Sequence, residues 1–229
     1  MTQVINNDVA ILGQMRLFAG VDERELEALA AHLRHRSYRK GEVIFHQDDP
    51  PGSIYFVKKG VVKIQLASAD GKRITIAWVR KGNFFGTIGS VKDGPRPESA
   101  VALEACDALL LQREHFQAFL KEHPESAMVL IEQLAQRWQS TLTLLQDVAF
   151  LDVPGRLAKV LLGLRERGNF SSDDESTDAP SQAELATLIG ATRESVNKWL
   201  QNFCHQGLIA WEGKRIRILD HEGLRARLD

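Results

Sequence analysis

Four side chains within six residues, Arg193, Glu194, Asn197 and Lys198, carry hydrogen-bonding groups suited to reading base-pair edges. A guanidinium binds guanine O6 and N7 through two donors, a carboxylate accepts from cytosine N4, and an ammonium serves guanine or a phosphate. Behind them Val196, Trp199, Leu200 and Phe203 recur at i, i+3, i+4 and i+7, which predicts a helix with one buried and one charged side. Thr192 is placed to cap that helix.

A preceding element must position it. Ser181-Gln182-Ala183-Glu184 has the Ser-x-x-Glu form of a capping box and opens a short helix whose buried side is Leu185, Ala186 and Ile189. Gly190 then supplies a tight turn that needs positive φ. Two short helices about a glycine turn match the helix-turn-helix unit, in which the first residues of the second helix enter the major groove. The candidate DNA-binding set is therefore Ser181, Gln182, Thr192, Arg193, Glu194, Asn197 and Lys198. Spacing alone leaves a second reading open, a helical pair with a merely solvated charged face. The segment after the second helix decides between them: Gly207-Leu208-Ile209 and Arg215-Ile216-Arg217-Ile218-Leu219 flank Gly213-Lys214, the pattern of a β-hairpin wing with basic residues near its tip.

The remaining chemistry is sparse. The chain of 229 residues has a net charge of −1, so its overall charge points to no nucleic-acid partner, and a DNA surface has to be local. Residues 150–229 hold 11 Lys and Arg against 12 Asp and Glu, with Asp173, Asp174, Glu175 and Asp178 gathered ahead of the reading head. No Ser/His/Asp arrangement, phosphate loop or metal-ligand cluster argues for catalysis. Cys106 and Cys204 are far apart and outside any Cys-x-x-Cys motif, so neither a metal nor a disulfide is expected. No apolar run reaches the length of a membrane span and the N-terminus lacks a secretory pattern, which makes the expected location cytoplasmic, with no membrane partner.

Along the chain, residues 9–35 carry helical periodicity, with Leu26, Leu29, Ala30 and Leu33 on one side. From Ser37 to Leu111 short β-prone runs (43–45, 54–57, 61–64, 74–78, 108–111) alternate with turn signals, among them the hairpin dipeptide Asp70-Gly71, and predict a closed or rolled antiparallel β domain. A short helix is expected over 113–121, then a long one from Pro124 to about Val148, roughly 37 Å at 1.5 Å per residue. In it Ile131, Leu134, Trp138, Thr141, Leu145 and Val148 are spaced 3, 4, 3, 4, 3, an a/d seam. A second apolar set (Leu130, Leu142, Leu144) suggests two covered sides, one on the β domain and one on a second copy of the chain. The alternative is that the whole stripe packs on the chain's own β domain. Asp152 and Pro154 open a further helix through Leu157, Val160, Leu161 and Leu164 that stops at Arg167-Gly168-Asn169, and 171–180 reads as an exposed polar loop. The fold class is α+β, with domains over 1–149 (β-roll and dimerisation helix) and 150–229 (winged helix-turn-helix).

This order of parts resembles the cyclic-AMP receptor protein (CRP/FNR) superfamily, from about Leu17 to Leu219. The most specific marks are Ala149-Phe150-Leu151-Asp152-Val153-Pro154-Gly155-Arg156 at the hinge, Gly190-Ala191-Thr192-Arg193-Glu194-Ser195-Val196 in the reading head, and Gly41, Gly60, Gly82 and Gly86 in the β domain. The resemblance implies a homodimeric transcription regulator, an RNA polymerase contact, base reading by Arg193, Glu194 and Lys198, and a two-fold symmetric site with TGTGA-like half-sites. Lysine at 198, where the receptor protein has arginine, implies weaker discrimination there.

The family's effector cassette resembles Phe-Gly-Glu, about ten residues, then Arg-Ser-Ala. Here it reads Phe85-Gly86-Thr87 and Glu98-Ser99-Ala100. Thr87 stands for the carboxylate that meets the ribose, and Glu98 for the arginine that neutralises the phosphate. Candidate effector residues are Gly86, Thr87, Arg96, Ser99, Ala100 and Thr141, with Leu142 replacing a hydroxyl-bearing neighbour. On this reading no cofactor is expected and ordinary cyclic-AMP control is disfavoured. Iron–sulfur sensing lacks its cysteine cluster, and His46 and His115 read as surface residues rather than haem ligands. Two rivals remain: a cyclic-nucleotide-gated regulator of the same fold, and a nucleotide-regulated interaction module without DNA binding.

Overall fold

A computed structural model describes residues 2–166, 176–178, 180–212 and 215–228. The chain divides into two compact units, Met1–Ala67 with Ile76–Gln139, and Ser68–Thr75 with Ser140–Asp229.

The first unit opens with helix α1 (Thr2–Gly13), a 3-10 turn (Arg16–Phe18) and α2 (Glu23–Ala30), the last started by a capping box from Asp22 and Glu25. The predicted helical stretch is therefore three pieces, and Leu33 lies beyond α2, half-buried against the core. Eight strands come next, β1 (Arg34–Tyr38), β2 (Val43–Phe45), β3 (Ile54–Lys59), β4 (Val61–Ala67), β5 (Arg73–Arg80), β6 (Phe84–Phe85), β7 (Ser99–Ala102) and β8 (Cys106–Leu111), with a short α3 (Thr87–Val91) between β6 and β7. They form two four-stranded sheets, ordered β1-β8-β3-β6 and β2-β7-β4-β5. Helices α4 (Arg113–Glu122) and α5 (Pro124–Phe150) complete the run.

Strand β3 shows why the two sheets hold together. Side chains alternate across a strand, and here both faces are covered. Ile54 and Phe56 enter a core with α1, α2, α4 and Leu130 of α5, whereas Tyr55 and Val57 enter the core between the sheets. The apolar run Ile54–Val57 is the signature of a strand buried on both sides. Phe56 is fully buried and lies 5.3 Å from Phe18 and 6.2 Å from Phe84, centroid to centroid. Phe56→Ala is expected to destabilise this unit by about 3–5 kcal/mol, because the cavity it leaves is walled by β-sheet that cannot collapse into it; chemical denaturation of the purified variant reads this directly.

Of the predicted a/d seam, only part is turned outward. Leu130 is buried and Leu134 packs against the first core, so these two hold α5 to the β domain. Ile131, Trp138, Leu145 and Val148 are exposed, and so are Leu142, of the second apolar set, and Phe150.

In the second unit, α6 (Val153–Glu166) begins where Asp152 Oδ1 accepts from Gly155 N at 2.9 Å. Then come β9 (Ser176–Asp178), α7 (Gln182–Ile189), α8 (Arg193–His205), β10 (Ile209–Glu212), β11 (Arg215–Ile218) and α9 (His221–Arg225). The wing hairpin pairs Ile209 with Ile218 through Glu212 with Arg215. It also has a third strand: β9 pairs with β11 inside the stretch expected to be loop, so the backbone of 176–178 adds to the wing by ladder hydrogen bonds that leave no mark in residue polarity. The predicted stop at 167–169, the acids 173–175 and the wing tip at 213–214 lie outside the described residues.

Candidate nucleic-acid interface and effector pocket

The reading head is assembled by local hydrogen bonds. Ser181 Oγ accepts from Glu184 N at 3.2 Å and Glu184 Oε2 accepts from Ser181 N at 2.7 Å, so the capping box is complete. Gly190 takes φ 63°, the left-handed turn that ends α7. Thr192 Oγ1 then accepts from Ser195 N at 3.2 Å to start α8. Leu185, Ala186, Leu188 and Ile189 of α7 and Val196, Leu200 and Phe203 of α8 are buried, while Trp199 is half-buried at the edge of Phe203. Arg156 ties the head to the hinge: Nε donates to Ile189 O at 2.8 Å and Nη1 to Leu151 O at 2.7 Å.

With that face buried, Arg193, Glu194 and Lys198 are exposed together at the start of α8. The Glu194 carboxyl is held below its ordinary pKa by backbone and Thr192 hydrogen bonds at the helix N-terminus, which keeps it an acceptor. Asn197 is half-buried and its Oδ1 accepts from Gln182 Nε2 at 3.1 Å. Two of the candidate contacts thus brace one another across the helix pair.

A second site lies in the β domain. Arg96 is only 3% exposed. Its guanidinium carbon sits 3.9 Å from the Phe45 ring centroid, and Nη2 donates to Ser53 O at 3.0 Å. The group is admitted by glycines: a Cβ on Gly52, Gly86 or Gly89 would stand 3.0–3.2 Å from its terminal nitrogens. Nη1 is buried and has no hydrogen-bond partner among the described residues. An unpaired, buried, charged donor is costly, which marks the place for an acceptor supplied from outside.

The candidate effector residues are not all brought together. Gly86 lies beside Arg96 and Thr87 beside Arg137, whereas the Ala100 side chain points into the core between the sheets and Thr141 belongs to the second unit. Ser99 Oγ accepts from Gln47 N at 2.8 Å. Arg96, one of the candidate effector residues, is the buried cation of this segment, two residues before Glu98. Backbone bonds from Arg96 N to Asp49 O and from Asp48 N to Arg96 O pin the segment with the side chain inward. Sequence reading missed Arg137 of α5, which donates to Phe84 O and lies 3.5 Å from Thr87 Oγ1. Its only signal is a cation one helical turn before Thr141, on a helix otherwise scored for apolar spacing. Glu98 is 8% exposed; burial raises its carboxyl pKa, while Arg96 and Arg137 oppose that shift.

Comparison with known proteins identifies both domains. A cyclic nucleotide-binding domain model matches residues 35–123 and a Crp-like helix-turn-helix domain model matches residues 155–227. The CRP-like cAMP-activated global transcriptional regulator of Mycobacterium tuberculosis H37Rv is 34% identical over 221 residues, 95% of this chain and 98% of that protein. The chain belongs to the CRP/FNR family of transcription regulators. Another relative, the cAMP-activated regulator CRP of Escherichia coli O157:H7, is 28% identical over 195 residues, 84% of this chain and 93% of that one. Among solved structures, the c-di-GMP responsive regulator CLP of Xanthomonas campestris superposes with a TM-score of 0.76 at 26% identity, covering 86% of this chain and 99% of its own.

CRP-family regulators bind DNA, typically as dimers, and these relatives are transcription regulators rather than enzymes. Among the described residues no helix is long and apolar enough to cross a membrane and no cluster of metal-ligating side chains occurs.

Proposed function

We propose that this CRP/FNR-family chain is a homodimeric, cytoplasmic, sequence-specific regulator that reads a two-fold symmetric, TGTGA-like site with Arg193, Glu194 and Lys198 and contacts RNA polymerase. The observation that carries this reading is the joint exposure of those three side chains on a helix whose opposite face is buried. In this proposal residues 1–149 form the effector and dimer domain and 150–229 the DNA domain. The two heads meet half-sites one helical turn, about 34 Å, apart. The exposed stripe of α5 is the dimer seam, and Ser181, Gln182, Thr192 and Asn197 brace the reading helix or meet phosphates. In a gel-shift titration, a duplex with two TGTGA half-sites is expected to bind at least about a thousandfold more tightly than a scrambled one, with affinity falling steeply in salt. Equal affinity for both duplexes at every salt concentration would refute the specific-reader assignment.

The effector side of the proposal centres on Arg96. Arg96 lies in the fields of the carboxylates Glu98 and Asp49 and Arg137 in that of Glu98, yet Arg96 Nη1 is left without a hydrogen-bond partner among the described residues. The ligands named for the relatives, cyclic AMP and cyclic di-GMP, share a phosphodiester anion. A phosphodiester at Arg96 Nη1 is thus the favoured effector class, and Thr87 in place of a carboxylate sets the pocket apart from an ordinary cyclic-AMP site.

A further inference from the structure

We propose that the ion pair of Asp147 and Lys159 is a latch across the junction of α5 and α6, and that both are positioning residues for DNA reading. They fix the attitude of the reading head on the helix that carries the exposed stripe. The inference rests on the operator-reading proposal above and adds two residues that act on DNA without touching a base.

Only Leu151 and Asp152 separate the end of α5 from the start of α6. With two soft dihedrals per residue, so short a link leaves few torsions to set the angle between the helices. Any change in them swings whatever is attached to α6. That is the whole head: α6 packs against α7, α8 and α9, and its Leu157, Ala158, Leu161 and Leu164 are buried. Lys159 Nζ spans the junction and donates to Asp147 Oδ1 at 2.5 Å. Arg156 lies one turn earlier on α6, and residues three apart are neighbours on a helix surface. It donates from Nη1 to Leu151 O inside the link and from Nε to Ile189 O at the end of α7. Two cations on one helix thus join α5, the link and the helix that leads into Gly190.

The pair also stands clear of the stripe assigned to the dimer. At about 3.6 residues per turn, Asp147 points about 100° away from Val148 and about 200° away from Leu145. The Asp147 side chain is 19% and that of Lys159 41% exposed, so solvent screens the pair and its hold is modest. A modest hold still matters to an operator. Apparent affinity falls with the fraction of heads in the competent attitude, and a symmetric site needs two such heads at once.

Charge reversal on the full-length protein tests this with Asp147→Lys, Lys159→Asp and the double variant carrying both. Each single reversal is expected to weaken binding to a duplex with two TGTGA half-sites about five- to thirtyfold, from about two- to fivefold at each head. The double variant restores the pair with its signs exchanged and should bind within about threefold of the wild type. Asp147→Lys is decisive in sign. It adds positive charge, so a general electrostatic role predicts tighter binding, and the latch predicts weaker binding. Hydrogen exchange followed by mass spectrometry gives a readout without DNA. The amides of Leu151 and Arg156, which donate to Asp147 O and Asp152 O at 3.0 Å, should exchange about two- to fivefold faster in each single reversal and at the wild-type rate in the double variant. Unchanged operator affinity in either single reversal overturns the proposal. So does a double variant no better than its parents, or an Asp147→Lys protein that binds more tightly than the wild type. A wild type that treats the TGTGA and scrambled duplexes alike refutes the operator reading instead, and the latch then stands or falls on the amide exchange rates.

Discussion

Arg193→Ala is expected to lower affinity for a symmetric operator from about thirtyfold to more than ten-thousandfold. A well-placed bidentate contact to guanine contributes about 1–3 kcal/mol, and in a two-fold dimer the loss occurs at both half-sites, giving about 2–6 kcal/mol in all, or a factor of ten for every 1.4 kcal/mol. The effect should belong to DNA and not to folding. Arg193 is exposed on the first turn of α8, while the helix is started by Thr192 and held by Val196, Leu200 and Phe203, all of which remain. Binding to scrambled duplex should change little, so the specific and non-specific curves of a gel-shift titration converge. Lys198→Ala gives the contrast: losing a point charge flattens the salt dependence more than it changes the preferred sequence. An Arg193→Ala protein with unchanged affinity and preference would remove Arg193 from the base-reading set.

The second large effect is expected at the α5 seam. Trp138 is 64% and Leu145 63% exposed, so a glutamate at either site leaves the fold of the single chain undisturbed. In a dimer packed along this stripe each position is buried twice by symmetry. The double variant Trp138→Glu with Leu145→Glu forfeits about 1.5–3 kcal/mol of apolar burial per side chain and places like charges in the interface. Sedimentation should show a monomer at micromolar concentration, with circular dichroism unchanged and operator affinity collapsed because two half-sites are no longer read at once. A stable dimer of that variant would assign dimerisation to another surface and leave the exposed stripe unexplained.

Legibility in the sequence tracked the range of the forces involved. Strands β2, β3, β4, β5 and β8 announced themselves as apolar runs between turn residues. Strand β1 did not: as an edge strand, it exposes Arg34, His35, Arg36 and Ser37, and only Tyr38 is buried. Strand β6 is two residues long and β7 is made of small side chains, so neither carries a run to detect. Strand β9 exists because β11 offers it an open edge. The α5 periodicity marked the helix, but it set Leu134 in one seam with Ile131, Trp138 and Leu145, and only the packed core turns Leu134 inward while the other three stay exposed.

What the sequence by itself determined was whatever depends on neighbours a few residues away. The capping box at Ser181, the glycine turn at 190, the Thr192 cap and the buried stripe of α8 are all local, and they carry the reading head with its exposed Arg193, Glu194 and Lys198. What only the tertiary structure decided was the effector pocket. Position-by-position reading set Glu98 against the family's arginine and named Arg96 only as a candidate beside it. The folded chain brings Arg96 in between Gly52, Gly86 and Gly89 and over Phe45, and brings Arg137 to Phe84 from a helix some fifty residues along. Which of two nearby side chains fills a buried space is settled by the shape of that space and by the partners lining it, and in this protein those come from four separate stretches of chain.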